Sequence, residues 1–282
     1  MQNRSSTSSS EATAKTLVRK VALVTAGLIA LLSAAYLLLP ISDSLYIASV
    51  NDKYDLLRET ESPKIVLVAG SSFAFGVDSH RIASEFGYNV VNTAVHGGLG
   101  LGFMLRLVKP HLKAGDVVVL APEYEVMLDP SGHLPLAEAL AVFPRGLRYV
   151  RPTEIEVSDF LRAVQRRFWL AIGFQADREQ EVYSRLRFNS YGDLTSHIEA
   201  AGEYEASPAD LIKIDVLPNP ESIALMNEFN EACREIGVTV VLSFSPYVRE
   251  LLGPEADAIR WKQHLVKELD FEVVSDPTDY LF

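Results

Sequence analysis

The chain has 282 residues, 37 acidic and 26 basic side chains, a net charge of −11, and a hydrophobic share of 48%. That share builds a sizeable core for one large domain or two small ones, and the acidic balance argues against a nucleic-acid partner, which needs clustered Lys and Arg. The single cysteine, Cys233, excludes an intramolecular disulfide and a cysteine-based zinc site, and its place on an apolar helical face makes it a core residue.

Residues 1–20 hold Arg4, Lys15, Arg19 and Lys20 against Glu11, so this segment is positive while the rest of the chain is acidic. Its Ser-rich stretch, Ser5 to Ser10, reads as a disordered tail. No charged side chain occurs from Val21 to Leu39. At about 1.5 Å per residue such a helix nearly spans a hydrocarbon core of about 30 Å, and Pro40 closes it. A cleaved signal peptide is the rival reading, but its apolar region runs only about 7 to 15 residues. Here Tyr36 to Leu39 extend the apolar run beyond the small residues Ser33, Ala34 and Ala35. The expectation is a cytoplasmic tail (1–20), a single-pass anchor in membrane lipid (21–40) and, by the positive-inside rule, an extracytoplasmic domain, periplasmic if the cell is Gram-negative.

Residues 41–63 read as a polar linker with a short helix. Beyond them strand and helix patterns alternate, which predicts an α/β domain over 64–282: a parallel five-stranded sheet with helices on both faces. The strands are Ile65 to Ala69, Asn89 to Val95, Asp116 to Ala121, Val238 to Phe244 and Phe271 to Val274. Helices are expected over about Ser79–Glu85, Leu101–Leu112 and Ala256–Leu269. A further helix has Asn219 as N-cap, Pro220 as its first residue, Leu225, Met226, Phe229 and Cys233 on one face, and Gly237 as terminator. Residues 126–215 break the rhythm and read as a mostly helical insertion, with a helix near Val157–Leu170 whose Arg162, Arg166 and Arg167 form a solvated face in preference to an anion site.

In an open parallel sheet the ligand sits beyond the carboxyl ends of the strands. The loop after strand one carries Gly70-Ser71-Ser72. A serine at such a turn suits a nucleophilic hydroxyl with N–H groups beside it, or equally a tight turn with a capping serine. The loop after strand two, Asn92 to Gly98, offers a glycine where a backbone N–H approaches a substrate closely. Gly98, Gly100 and Gly102 do not have the spacing of a nucleotide-binding loop.

These two blocks resemble the SGNH, or GDSL-like, hydrolase superfamily, whose fold is flavodoxin-like. The resemblance covers most of 64–125 and 219–275, and its cell-envelope branch in alginate O-acetylation or teichoic-acid D-alanylation is the most similar. It implies that Ser72 is the nucleophile and contributes its N–H to an oxyanion hole, and that Gly97, five residues after Asn92, is the second-block glycine. Two departures stand out. Where the family has an asparagine after strand three, this chain has Pro122-Glu123-Tyr124-Glu125, so the donor is Tyr124, or the geometry is altered, or the donor is missing. Glu123 and Glu125 read as ligands for a sugar hydroxyl or as surface acids. The family's Asp-x-x-His after strand five does not occur: Ser275 to Phe282 follows instead, which reads as a chain stopping before its base in preference to a member that has lost it.

Of the histidines, His96 adjoins Gly97 and is the candidate base outside the family position, with His80 also near a loop; His111 and His264 read as solvated, and His133 and His197 fall in the insertion. Asp193 is expected to reach the cleft. No cofactor and no metal is expected. The whole reads as a membrane-anchored esterase or O-acyltransferase acting on a cell-surface polysaccharide or glycan. By resemblance, a transferase would draw acyl groups from a partner membrane-bound acyltransferase. The alternative is a non-catalytic envelope protein of the same fold for glycan binding or polysaccharide assembly.

Overall fold

A computed structural model of the chain describes residues 5–38, 40–41, 45–172, 183–199, 214–247 and 254–280. Helix α1, Ser5–Leu38, contains an apolar stretch Thr13–Leu38 of mean hydropathy 2.3 that is exposed along almost its whole length. At about 1.5 Å per residue it is long enough to cross a hydrocarbon core of about 30 Å. The Ser-rich stretch expected to be disordered is instead the first turns of α1. Once the apolar segment nucleates the helix, each added residue gains a bond, and serine opposes this by only a few tenths of a kcal/mol.

Of the segment 41–63, expected as a linker with a short helix, residues 45–63 are built into the domain. Its helix α2, Ser49–Glu59, buries Val50, Tyr54 and Leu57 in the main core. Lys53 on the same helix is buried too, its ammonium donating to the carbonyls of Asn92 at 3.2 Å, Gly192 at 2.5 Å and Ala94. Those contacts tie α2 to the sheet and to the insertion.

The five strands are β1 (Lys64–Ala69), β2 (Asn89–Asn92), β3 (Val117–Ala121), β4 (Thr239–Leu242) and β5 (Glu272–Val273). All pairs are parallel, in the order β2-β1-β3-β4-β5. Both faces are covered, as the period-2 alternation of β1 shows. Val66 and Val68 enter the larger core with Leu105, Leu120, Phe229 and Leu242, while Ile65, Leu67 and Ala69 face a smaller one with Phe73, Ala74 and Ile82. β2 ends at Asn92, short of the expected Val95, because the Tyr191 carbonyl takes the Asn92 N–H and Lys53 takes the Asn92 and Ala94 carbonyls.

Helices α3 (Ser71–Gly76) and α4 (Ser79–Phe86) lead from β1 to β2, and α5 (Leu101–Val108) leads to β3. Between β3 and β4 come α6 (Tyr124–Leu128), α7 (Leu134–Val142), α8 (Val157–Ala171) and the short α9 (Ser196–Glu199). Helix α10, Pro220–Arg234, starts where the Asn219 side chain accepts from the Glu221 N–H, and buries Met226, Phe229 and Cys233. Gly237 follows at φ +76°, a left-handed conformation that glycine adopts without strain. Helix α11, Glu255–Glu268, delivers β5.

One expectation for α8 fails. Arg162 and Arg166 are exposed and pair with Asp159 and Glu138, but Arg167 is buried. Its guanidinium donates to the Tyr36 carbonyl at 2.6 Å and the Ala141 carbonyl at 2.7 Å, and the Tyr36 hydroxyl donates to the Leu140 carbonyl at 2.5 Å. A guanidinium that reaches two helices at once is drawn inward by backbone carbonyls that would otherwise lack partners.

Candidate functional site

The strand order reverses direction between β1 and β3, and at such a point the loops leaving the two strands diverge and open a crevice. The loops here are Gly70-Ser71-Ser72 after β1 and Pro122-Glu123 after β3. Glu123 turns into the crevice and is almost fully buried. Its carboxylate accepts from the Gly70 N–H at 2.9 Å, the Ser72 N–H at 3.0 Å and the Ser72 hydroxyl at 3.0 Å. Only glycine fits at position 70: a Cβ there would lie 2.3 Å from the Gly97 nitrogen and 2.4 Å from both Glu123 oxygens. Gly97 is confined less severely, its Cβ meeting the Val126 Cγ2 methyl at 2.9 Å and a Glu123 oxygen at 3.3 Å. Thus Gly70, Ser72, Gly97 and Glu123 converge on one point, while the Gly97 N–H has no acceptor among the described residues.

Burial pushes the Glu123 carboxyl above its usual range, and the donated hydrogen bonds from Ser72 and Gly70 pull back only part of that rise. The proton count points the same way. Ser72 Oγ is 3.1 Å from Ser245 Oγ, which donates its own hydrogen to the Ala121 carbonyl at 2.7 Å. With Glu123 ionised, Ser72 has one hydrogen for two acceptors. With Glu123 protonated, each contact in the chain Glu123–Ser72–Ser245–Ala121 holds one hydrogen.

A cavity of about 330 Å³ opens beside this cluster, lined by Ser71, His96, Gly97, Glu123, His133 and Pro135 among others. Ser71 forms its wall, and Ser72 stands behind, half-buried, with its hydroxyl on Glu123. His96 Nδ1 accepts from the Gly98 N–H at 2.9 Å, and burial lowers the imidazole pKa. In the neutral ring that bond assigns the proton to Nε2, so His96, which lines the cavity, carries a donor there and has its basic nitrogen occupied, against its expected place as a base. His133 lies 3.3 Å from Asp129 through Nε2, and its N–H bonds the Gly98 carbonyl. Sequence reasoning placed His133 only in the insertion. The signal was the turn Asp129-Pro130-Ser131-Gly132-His133 directly after the helix that follows β3.

Several expected residues lie elsewhere. Tyr124 does not serve as the oxyanion donor: it is fully buried, with its ring against Phe244, Tyr247 and Trp261, because one residue after Glu123 the new helix α6 turns it into the main core. The Ser72 N–H, expected to face a substrate, is occupied by Glu123. Asn92 is buried, donating to the Phe73 carbonyl and Asp193 and accepting from the Ala94 N–H, which leaves nothing for a substrate. Asp193 does not reach the cleft: it is buried against Ser79, Asn92 and Asn189. Glu125 is exposed and lines the cavity, accepting from the Tyr247 hydroxyl at 3.4 Å. His111 is not solvated but half-buried against the Tyr54 ring, and burial lowers its pKa. His264 is half-buried on α11, and His80 is exposed beside Tyr191. The His197 side chain lies outside the described residues. Among the described residues, no three His, Cys, Asp or Glu side chains gather to hold a metal ion. No family model, curated protein or solved structure matches the chain.

Proposed function

We propose that the protein is a membrane-anchored serine esterase or O-acyltransferase of SGNH type that acts on an ester of a cell-surface carbohydrate. The observation that carries this reading is the Ser72 hydroxyl bonded at 3.0 Å to a buried carboxylate beside an open cavity. Once Glu123 gives up its proton, nucleophile and proton acceptor are in contact, and a carboxyl whose pKa is raised by burial is a stronger base than an ordinary glutamate. Ser72 Oγ bonds to the acyl carbon as its proton passes to Glu123. The sugar oxygen leaves that carbon and takes the proton from Glu123. Water or a second sugar hydroxyl then gives a proton to Glu123 and attacks the acyl carbon; Ser72 Oγ leaves that carbon and takes the proton back from Glu123. Donors for the developing oxyanion are the unpartnered Gly97 N–H and the His96 Nε2–H.

The basic residues before Val21 support an N-terminus in the cytoplasm and a domain outside it, among envelope polymers. As a transferase the protein would receive acyl groups from a membrane-bound acyltransferase held in the same bilayer. One observation favours a second reading, a non-catalytic glycan-binding or assembly protein: Glu123 sits on the Gly70 and Ser72 amides that an oxyanion would use. A fluorophosphonate probe separates the two. The full chain is expected to label, with labelling lost in Ser72→Ala. A well-folded full chain that takes no label overturns the enzyme reading and leaves the binding protein.

A further inference from the structure

Helix α8 carries an apolar stripe that the domain leaves open. Val157, Leu161 and Phe168 on the helix and Ile172 just after it are 72%, 60%, 38% and 51% exposed, at a spacing that puts them along one face with Val164. The stripe is continuous with the membrane-spanning helix. A cleft of about 460 Å³ runs between the end of α1 and α8, lined by Leu32, Ala35, Tyr36, Leu161, Val164 and Phe168. Leu32 and Ala35 belong to the apolar stretch Thr13–Leu38, so one wall of the cleft lies where the surrounding solvent is lipid. The other wall is fixed to it. Arg167 bridges the Tyr36 and Ala141 carbonyls, the Tyr36 hydroxyl holds the Leu140 carbonyl, and the Tyr36 ring meets Phe160 edge-on at 5.8 Å. The exposed guanidiniums of Arg162 and Arg166, paired with Asp159 and Glu138, lie on the side of α8 away from the stripe.

We propose that α8 is a second membrane contact, lying in the bilayer interface with acyl chains of the adjoining leaflet filling the cleft between α1 and α8. An apolar face in water would be an unrelieved cost, and this one meets the exposed face of the spanning helix across a mostly apolar cleft whose polar members are Ser33, Gln165 and Arg167. The contact also sets the height of the candidate site. Pro135 lines the Ser71 cavity and Leu140, on the same helix α7, is bonded to the anchor, a separation of about 8 Å at about 1.5 Å per residue. The cavity therefore opens close to the lipid headgroups, where a membrane-borne substrate reaches it.

The inference rests on α1 spanning the bilayer, so the test reads both. The full chain is reconstituted in phosphatidylcholine–phosphatidylglycerol nanodiscs, with a nitroxide at Leu161→Cys, Phe168→Cys, Leu28→Cys or Val266→Cys; Cys233, fully buried, stays unlabelled. Collision with oxygen against a water-soluble nickel chelate reports depth. Leu28 is expected to read deep in the bilayer and Val266 in water, with the oxygen-to-nickel ratio at 161 and 168 several-fold above that at 266. Ratios at 161 and 168 equal to 266, with Leu28 still deep, overturn the inference and leave the anchor standing. Low collision with both reagents at 161 and 168 also overturns it, since a second protein copy would then cover the stripe. A water-like Leu28 overturns the anchor itself.

Discussion

Replacing Glu123 with glutamine tests whether a carboxylate clamps the β1 turn. One oxygen takes the Gly70 N–H and the other takes the Ser72 N–H and hydroxyl. Glutamine has the same shape but one oxygen and one NH2, so in either orientation a backbone N–H faces a donor. A protonated carboxyl escapes this, because its hydroxyl oxygen still accepts. One buried N–H loses its partner, at a cost of about 1–3 kcal/mol. For a domain of this size that lowers Tm by roughly 2–4 °C per kcal/mol. The assay is thermal unfolding of the full chain in detergent, followed by near-ultraviolet circular dichroism. The cost also depends on pH. Burial raises the Glu123 pKa in the folded state, so the native chain binds the extra proton between the ordinary and the raised value. Its stability then falls as pH rises through that window, while the variant has no such titration. The penalty of Glu123→Gln is therefore largest on the acid side and shrinks as pH rises. A variant as stable as the parent at every pH would refute the clamp and show that the cost of desolvating the carboxyl offsets its hydrogen bonds.

On the proposed mechanism Glu123 must be ionised to accept the Ser72 proton. The rate of probe labelling should then rise with pH along a limb centred above the ordinary glutamate value of about 4.3, and a limb at or below that value would count against Glu123 as the base. Gly70→Ala should abolish labelling although Ser72 is untouched, because its Cβ would sit 2.4 Å from the Glu123 oxygens; a labelling rate like the parent's would show that the turn yields. Lys53→Met should destabilise by about 3 kcal/mol or more, since the buried carbonyls of Asn92, Ala94 and Gly192 lose one shared donor. Chemical denaturation would reveal it, and a change within half a kcal/mol would remove Lys53 from the structural account.

What was legible in the sequence was local. Asn219-Pro220 and Gly237 bracket α10 because a cap, a pre-set φ and a left-handed glycine act within a few residues. β-branched runs mark β1 and β3, and Gly70-Ser71-Ser72 lies at the strand end where a site was sought. The rest depends on distant pairs. Glu123 reads as a ligand for a sugar hydroxyl or as a surface acid, because nothing near it tells that amides 51 and 53 residues earlier will converge on it. Asn92 looked available until Asp193, 101 residues later, took its amide. Lys53 in an expected linker and Arg167 on an expected solvated face misled for one reason: a long cationic side chain is equally at home in water or on buried carbonyls, and only the tertiary fold decides.

The internal carboxylate also sets a rule of selection. Any ligand oxygen that takes the Gly70 and Ser72 amides evicts the buried Glu123 carboxyl from both, a penalty that grows once the group is ionised. An aliphatic acyl ester has nothing to offer the evicted oxygens. A polyol does, since hydroxyls next to its ester can replace the lost donors, so on the proposed function the pocket would discriminate through the donor count of its guest as well as its shape.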